Sequence, residues 1–381
     1  RASKNSATDT LNEDELMNAF KEFEKDYSNE ANDILASRFK YPNLEGLDTA
    51  EGAFAIPEGI ADIVEFWTHI FGLYTRDHVV FYNKQHVGIV YSVLDFSEVN
   101  YLKTGGIKSF KKKMIGEERA RLKQMLKNIS ARFLDENPKF DGLTDEEKRI
   151  AKLIQNSDVK IDVTDKGLKN NFIYRYGFSH RIKKAIQVSG KYMPELQRIF
   201  KERGLPTELT IIPFIESSFN LNAYSSAGAA GIWQFIKATG KRYLRIDEFV
   251  DERYDPILAG YAAATHLSHE YKFLKTWPMT INAYNTGPGR MIKAKKQLNT
   301  TDISTIIKHY RGSGYGFDSR NYFPEFLAAL HVYKNRDHYF GADLKDQVQE
   351  EYEYVAMPSD MNVKELSRLS GLNQKKLVAM N

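Results

Sequence analysis

Between Ile60 and Tyr74 the chain reads IADIVEFWTHIFGLY, and Ile63, Phe66, Trp67, Ile70 and Leu73 fall on one face of a helix. The period then changes. In HVVFYNKQHVGIVYSVLDF two β-rich apolar runs flank Asn83-Lys84-Gln85, the pattern of a hairpin. KKKMIGEERARLKQMLKNI returns to helical spacing with a basic face, which reads as a solvated helix face in preference to a phosphate- or wall-binding patch. From about Gly167 onward helical patterning is almost unbroken. FSHRIKKAIQVSGKYMPELQRIFKERG predicts two helices that break near Ser189-Gly190.

Helix starts are well marked in this second stretch. Pro206-Thr207 precedes ELTIIPFIE, and Asp255 followed by Pro256 supplies an N-cap and a proline at the first helical position for ILAGYAAATHLSHEYKFL. Trp277-Pro278 opens MTINAYN and Gly287-Pro288 opens GRMIKAKKQL. Ser319 is placed as the cap of RNYFPEFLAALHVYKN, with Pro324 expected to bend or delay that helix. Short helices on short loops predict a compact α-rich domain over residues 165–345. Ahead of it lie a polar arm, 1–60, and an α+β region, 61–164. Behind it the tail, 346–381, holds one helix (NVKELSRLSG) and LNQKKLVAMN, enough for a stub module. No repeat or low-complexity tract occurs.

Composition narrows the function only a little. The 381 residues suffice for two or three domains. Lys and Arg number 54 against 50 Asp and Glu, and a net charge of +4 does not argue for a nucleic-acid partner; it is equally compatible with a polyanionic wall polymer. The absence of cysteine removes disulfides, thiolate zinc sites and cysteine nucleophiles together. Tyrosine is abundant, at 22 residues, as in many carbohydrate grooves, although ordinary core and surface use accounts for it too. With no apolar run of about 18 residues, no transmembrane helix is expected. The chain opens RASKNSATDT, and a signal segment removed before Arg1 would leave no trace in it.

Several chemistries can be set aside. His266 and His269 form H-x-x-H without the glutamate of H-E-x-x-H and read as two surface histidines, so no metal site and no cofactor is expected. AGAAG and TGPGR match neither phosphate-loop pattern, and Ser217 and Ser218 lack a G-x-S-x-G setting. Glu216 remains. It ends the apolar run LTIIPFI, with Leu209, Ile212 and Ile215 around it. A carboxyl that loses solvation holds its proton to higher pH, as a general acid for an acetal oxygen must. The blander reading is a helix-terminal glutamate bonded to backbone. Its neighbours in the chain tip the balance: Gly228, Ala229, Ala230 and Gly231 let backbone approach a ligand, and Ser225 and Gln234 add hydrogen-bonding groups. AYNTGPGR adds Tyr284 and Asn285, and RNYFPEFL adds Tyr322.

The ordered set ESSFN, SSAGAAGIWQF, AYNTGPGR and NYFPEFLAAL resembles the lytic transglycosylases of the soluble-lytic-transglycosylase (SLT) class. The wording FKERGLPTELTIIPFIESSFN is most similar to the membrane-bound lytic murein transglycosylase D group. The likeness covers about Phe178 to Asn335, with a further likeness in residues 63–96. The tail resembles a shortened LysM-like segment.

This resemblance implies a mainly α fold: a lysozyme-like, goose-type/SLT catalytic domain with an α+β N-terminal region and a small C-terminal LysM-like stub. It implies cleavage of the MurNAc–GlcNAc bond of peptidoglycan by one catalytic residue, matched here by Glu216, with a 1,6-anhydro sugar as product. By the same likeness Ser225 and Gln234 line the groove, and Tyr284 and Tyr322 sit near the acid to orient it or the substrate; Gly228 and Asn285 join them as substrate-binding residues on the reading of the residues given above. A two-carboxylate glycosidase needs a second acid; the intramolecular route does not. The neighbouring acids Asp247, Glu248, Asp251, Glu252 and Asp255 stand in no motif that aims them at Glu216, and Asp255 is read as a cap. The partner implied is the peptidoglycan glycan strand, acted on by a monomer in the periplasm or cell envelope, with no nucleic acid. Any membrane or wall attachment would lie outside the given chain. A hydrolytic muramidase using the same acid and a non-catalytic wall-binding protein on the same fold are the rival readings.

Overall fold

The computed structural model describes residues 52–101, 106–133, 140–157, 159, 164, 167, 172–348 and 361–380. The polar arm therefore lies almost wholly outside the described residues. In chain order the main elements are α1 (Ala61–Gly72), β1 (His78–Asn83), β2 (Val90–Asp95), α2 (Ile107–Phe133), α3 (Asp145–Gln155) and β3 (Phe172–Tyr176). They continue with α4 (Ser179–Ser189), α5 (Met193–Glu202), α6 (Ile212–Ser217), α7 (Pro256–Leu274), α8 (Trp277–Thr286) and α9 (Pro288–Leu298). The last are α10 (Ile303–His309), α11 (Phe317–Lys334), α12 (Val363–Ser370) and α13 (Gln374–Met380). The fold is mainly helical with one small antiparallel sheet. The described chain falls into two units, one running to His180 and including Lys293–Gly341, the other comprising Arg181–Ile292 and the residues from Ala342 on.

In the first unit the expected hairpin forms, β1 against β2, with a register shift between Phe81 and Tyr82. β3 joins the free edge of β1, giving the order β2-β1-β3. This third strand corrects the expectation of helix from Gly167 onward; FIYRY is too short to show its period, and its partner lies some ninety residues earlier in the chain. As the central strand, β1 is buried on both faces, which is why HVVFYN is a nearly continuous apolar run. Val79 and Phe81 face a core shared with Phe110, Leu122, Leu126 and Ile129 of α2 and with α3. α2 thus buries one stripe and leaves its lysines outward, as a solvated face requires; Lys111 lies over the Phe96 ring. On the other face Tyr82 packs on Phe66 of α1 and Phe317 of α11. α1 lies along α11, and the Trp67 indole N–H donates to Asn321 Oδ1 at 2.9 Å. α11 is not capped by Ser319. It starts at Phe317, after Gly316, buries Ser319 in its first turn, and runs through Pro324 without a break. Pro324 is the eighth residue of α11, past the first turn, so it supplies no N–H to the Arg320 carbonyl; burial of the flanking Phe323 and Phe326, whose rings stack, holds the helix together across that lost bond.

In the second unit the expected helices form with their expected starts. α4 and α5 break around Gly190, and Asp255 caps α7 by accepting from the Ile257 and Leu258 N–H groups at 2.8 and 2.9 Å. The run ELTIIPFIE divides into a 3-10 turn, Thr207–Ile211, followed by α6. The core centres on Trp233, whose ring stacks on Phe200 of α5 at 5.8 Å and whose N–H donates to the Pro256 carbonyl. Two short helices, α12 and α13, make up the described part of the tail.

Candidate active site

Glu216 occupies the last turn of α6, half-buried. The chain leaves that helix abruptly, for Ser218 and Phe219 both take left-handed backbone conformations, φ 51° and 53°. Such φ values are costly for non-glycine residues and persist only where the surroundings impose them. Here Phe219 is buried against Phe214, and the Ser217 hydroxyl, donating to the Ile232 carbonyl at 3.0 Å, ties the end of α6 to the glycine-rich loop.

That loop, Ser225–Phe235, is held by turns and isolated bridges from Ala230 to Tyr224 and Phe235. Its mainstay is Arg253, only 4% exposed. The guanidinium donates to the Gly228 and Phe235 carbonyls at 2.7 and 2.8 Å and forms a two-pronged pair with Asp251. That pair holds the Asp251 carboxyl below the usual carboxylate range. Gly231 explains the glycine: at φ +73° its backbone runs so close to the Arg253 carbonyl that an added Cβ would lie 1.8 Å from that oxygen. Gly228, φ +79°, has open space, a Cβ meeting only the Tyr224 hydroxyl at 3.6 Å.

The sequence-picked groups sit as follows. The Ser225 hydroxyl accepts the Ala229 N–H at 3.0 Å, and the Gln234 amide donates to the Gly231 carbonyl at 2.8 Å, so both shape the loop. Tyr284, on α8, donates its hydroxyl to the Trp233 carbonyl at 2.7 Å. Burial first, then the charges of Glu216 and Glu270, push its pKa well up, so the phenol stays protonated and acts as a donor. Asn285 follows it, exposed. Tyr322 belongs to the first unit, where it is buried in α11.

Three participants carry no clear signal in the sequence. For Arg253 and Asp251, nothing local distinguishes their ion pair from a surface one. Glu270 is the third. It is 4% exposed on α7, its Oε1 is 3.3 Å from His266 Nε2, and desolvation raises its pKa to about 7. His266 is accordingly no surface histidine: its side chain is 13% exposed, and burial, with the charges of Arg242 and His269, lowers its pKa to about 4. The one available signal is the i, i+4 spacing of His266 and Glu270 beside four alanines, which turns both toward the core. His269 does lie at the surface. Among the described residues no group of three or more side chains is arranged to hold a metal ion.

The sequence profile of the family described as "Transglycosylase SLT domain" matches residues 194–307. That segment is similar to SLT domains. The matched segment includes Glu216, Ser225, Gly228, Gln234, Tyr284 and Asn285, while Tyr322 lies beyond it. Over 192 residues, 50% of this chain and 42% of the other, the sequence is 30% identical to membrane-bound lytic murein transglycosylase D of Escherichia coli strain K12. It is 28% identical to membrane-bound lytic murein transglycosylase C of Glaesserella parasuis serovar 5, over 44% of this chain and 53% of that one. The chain spans about half the length of these curated relatives. The solved 70 kDa soluble lytic transglycosylase of Escherichia coli overlays 41% of this chain and 26% of its own at a TM-score of 0.33 and 20% identity. No helix among the described residues is long and apolar enough to cross a membrane.

Proposed function

We propose that this chain is a lytic transglycosylase that cleaves the MurNAc–GlcNAc β-1,4 bond of peptidoglycan with Glu216 as its single acid and base. The observation that carries the reading is the coupling of acid, phenol and loop inside the SLT segment. Tyr284 feels the Glu216 charge while its hydroxyl is bound to the Trp233 carbonyl of the glycine-rich loop. Glu216 gives its proton to the glycosidic oxygen as the C1–O bond breaks. It then takes the proton of the sugar's own C6 hydroxyl as that oxygen bonds to C1, leaving a 1,6-anhydro end and a regenerated acid. No water and no second carboxylate enters. Gly228 and Asn285 line the groove in this reading; Ser225, Gln234 and Arg253 keep its floor rigid, and Tyr322 belongs to the family pattern. Peptidoglycan strands place the site of action in the cell envelope. The tail fits a shortened LysM-like stub.

Digests of purified sacculi should release muropeptides with anhydro ends, lighter by one water than reducing ends in mass spectrometry. Reducing ends alone would replace this mechanism with hydrolysis. Glu216→Gln should lower the rate by roughly 10²–10⁴-fold, the usual weight of a general acid–base group. An unaltered rate in that variant would remove Glu216 from the chemistry, and a chain that binds sacculi without cutting them would be a wall-binding protein.

A further inference from the structure

Beside Tyr284 the second unit holds a cavity of about 350 Å³, lined by Arg242, Tyr243, His266, His269, Glu270 and Phe273, among others. That size is in the range of small-ligand sites. Its walls carry a polar arrangement that the proposed chemistry leaves unused. Glu270 Oε1 faces His266, but Oε2 is buried and accepts no hydrogen bond among the described residues. With the acid neutral and its proton on Oε1 toward the His266 Nε2 acceptor, Oε2 is a carbonyl-type oxygen, and a buried acceptor left unsatisfied costs free energy that a donor recovers. The Tyr243 hydroxyl is engaged loosely with the Nδ1 atoms of His266 and His269, at 3.4 and 3.5 Å. A bare cation does not suit the site, because Arg242 and Lys272 line the same cavity and Arg242 is close enough to act on His266. Those two cations call for an anion, and Oε2 calls for an N–H. Phe273, 69% exposed, offers an apolar face beside them.

We propose that this cavity binds an α-carboxylate together with the N–H on the adjoining carbon, the arrangement at the free end of a peptide. The N–H donates to Glu270 Oε2, the carboxylate pairs with Arg242 and Lys272, and the side chain lies on Phe273. The geometry of the cavity stands by itself; only the source of the ligand, a peptide carried by the glycan strand, rests on the function proposed above.

Three probes separate the recognised groups: N-acetylalanine carries both, acetate only the carboxylate, N-acetylalaninamide only the N–H. Titrations of the full chain, followed by the ring resonances of His266 and His269, should show saturable binding of N-acetylalanine at least tenfold tighter than of either other probe. Arg242→Ala, at an exposed position that leaves the fold intact, should weaken that binding at least tenfold, and Glu270→Leu should abolish it. The proposal falls if acetate binds as well as N-acetylalanine, if no histidine resonance moves, or if Arg242→Ala binds like the parent. Binding is read here without any cleavage, so failure to digest sacculi would overturn the proposed function and leave this result in place.

Discussion

Glu270 and His266 show what one buried pair does to the pH response of the domain. Burial raises the glutamate from 4.5 to about 7 and lowers the histidine from 6.5 to about 4, so each is driven toward its neutral form. The two act on stability with opposite sign. The folded chain holds the Glu270 proton more tightly than the unfolded chain does, so its contribution is complete below pH 4.5 and is lost as pH rises through about 7. His266 resists protonation when folded, so its contribution is lost as pH falls from 6.5 through about 4. Over the shared interval the slopes cancel. Glu270→Gln removes one of them while keeping the shape. Its stability relative to the parent should therefore rise between pH 4.5 and 7, by about 3 kcal/mol if the whole shift is realised. Urea unfolding of both proteins at several pH values measures this. A difference that stays level with pH would mean that Glu270 is ionised when folded. Asp255 was legible as a cap because a cap is a local event; Glu270 was not, because its consequence depends on which face of α7 is covered.

Among elements, the glycine-rich loop carries the most information and was the most fully readable in kind. GAAG announces close backbone approach, and Gly231 meets it, though the neighbour is Arg253 of the same unit and not a ligand. What the sequence could not supply was the partner, because an arginine eighteen residues past Phe235 reaches the loop only through the turn at Asp251. The two glycines make a matched test. Both require left-handed backbone, which costs an alanine about 1–2 kcal/mol. Only at position 231 does the new methyl strike a fixed carbonyl, and since a Cβ has no rotamer to escape by, Gly231→Ala should lose about 2–5 kcal/mol in all. Gly228→Ala should lose only the backbone part. Denaturant midpoints decide it, and equal losses would mean that the loop yields where Arg253 is expected to hold it. The elements that depart from the sequence pattern share a cause. β3 and the start of α11 are fixed by distant contacts, β1 for one and α1 for the other, that outweigh five residues of β pattern and a serine at a plausible cap position.

At the scale of the whole molecule, the proposed function requires that a nearly neutral chain find a charged polymer. With 54 basic and 50 acidic side chains, attraction over distance is weak, and the salt of ordinary buffers screens exposed charges beyond about 8–10 Å. The densest basic stretch, Lys111, Lys112 and Lys113 of α2, opens a helix whose following turns carry Glu117 and Glu118, and Arg121 there is held between Glu118 and Glu146. Such a surface resembles a solvated helix face and not a docking strip. If recognition instead lies in the groove around Glu216, where contacts are close and directional, sacculus binding should fall by less than about threefold between 50 and 300 mM salt, far below the loss expected when several polymer charges are neutralised. Co-sedimentation with purified sacculi across that range tests it. Replacing Lys111, Lys112 and Lys113 by glutamine should change the result little. A steep salt dependence abolished by those three replacements would move wall recognition onto the first unit, and the SLT segment would then supply the chemistry without supplying the grip.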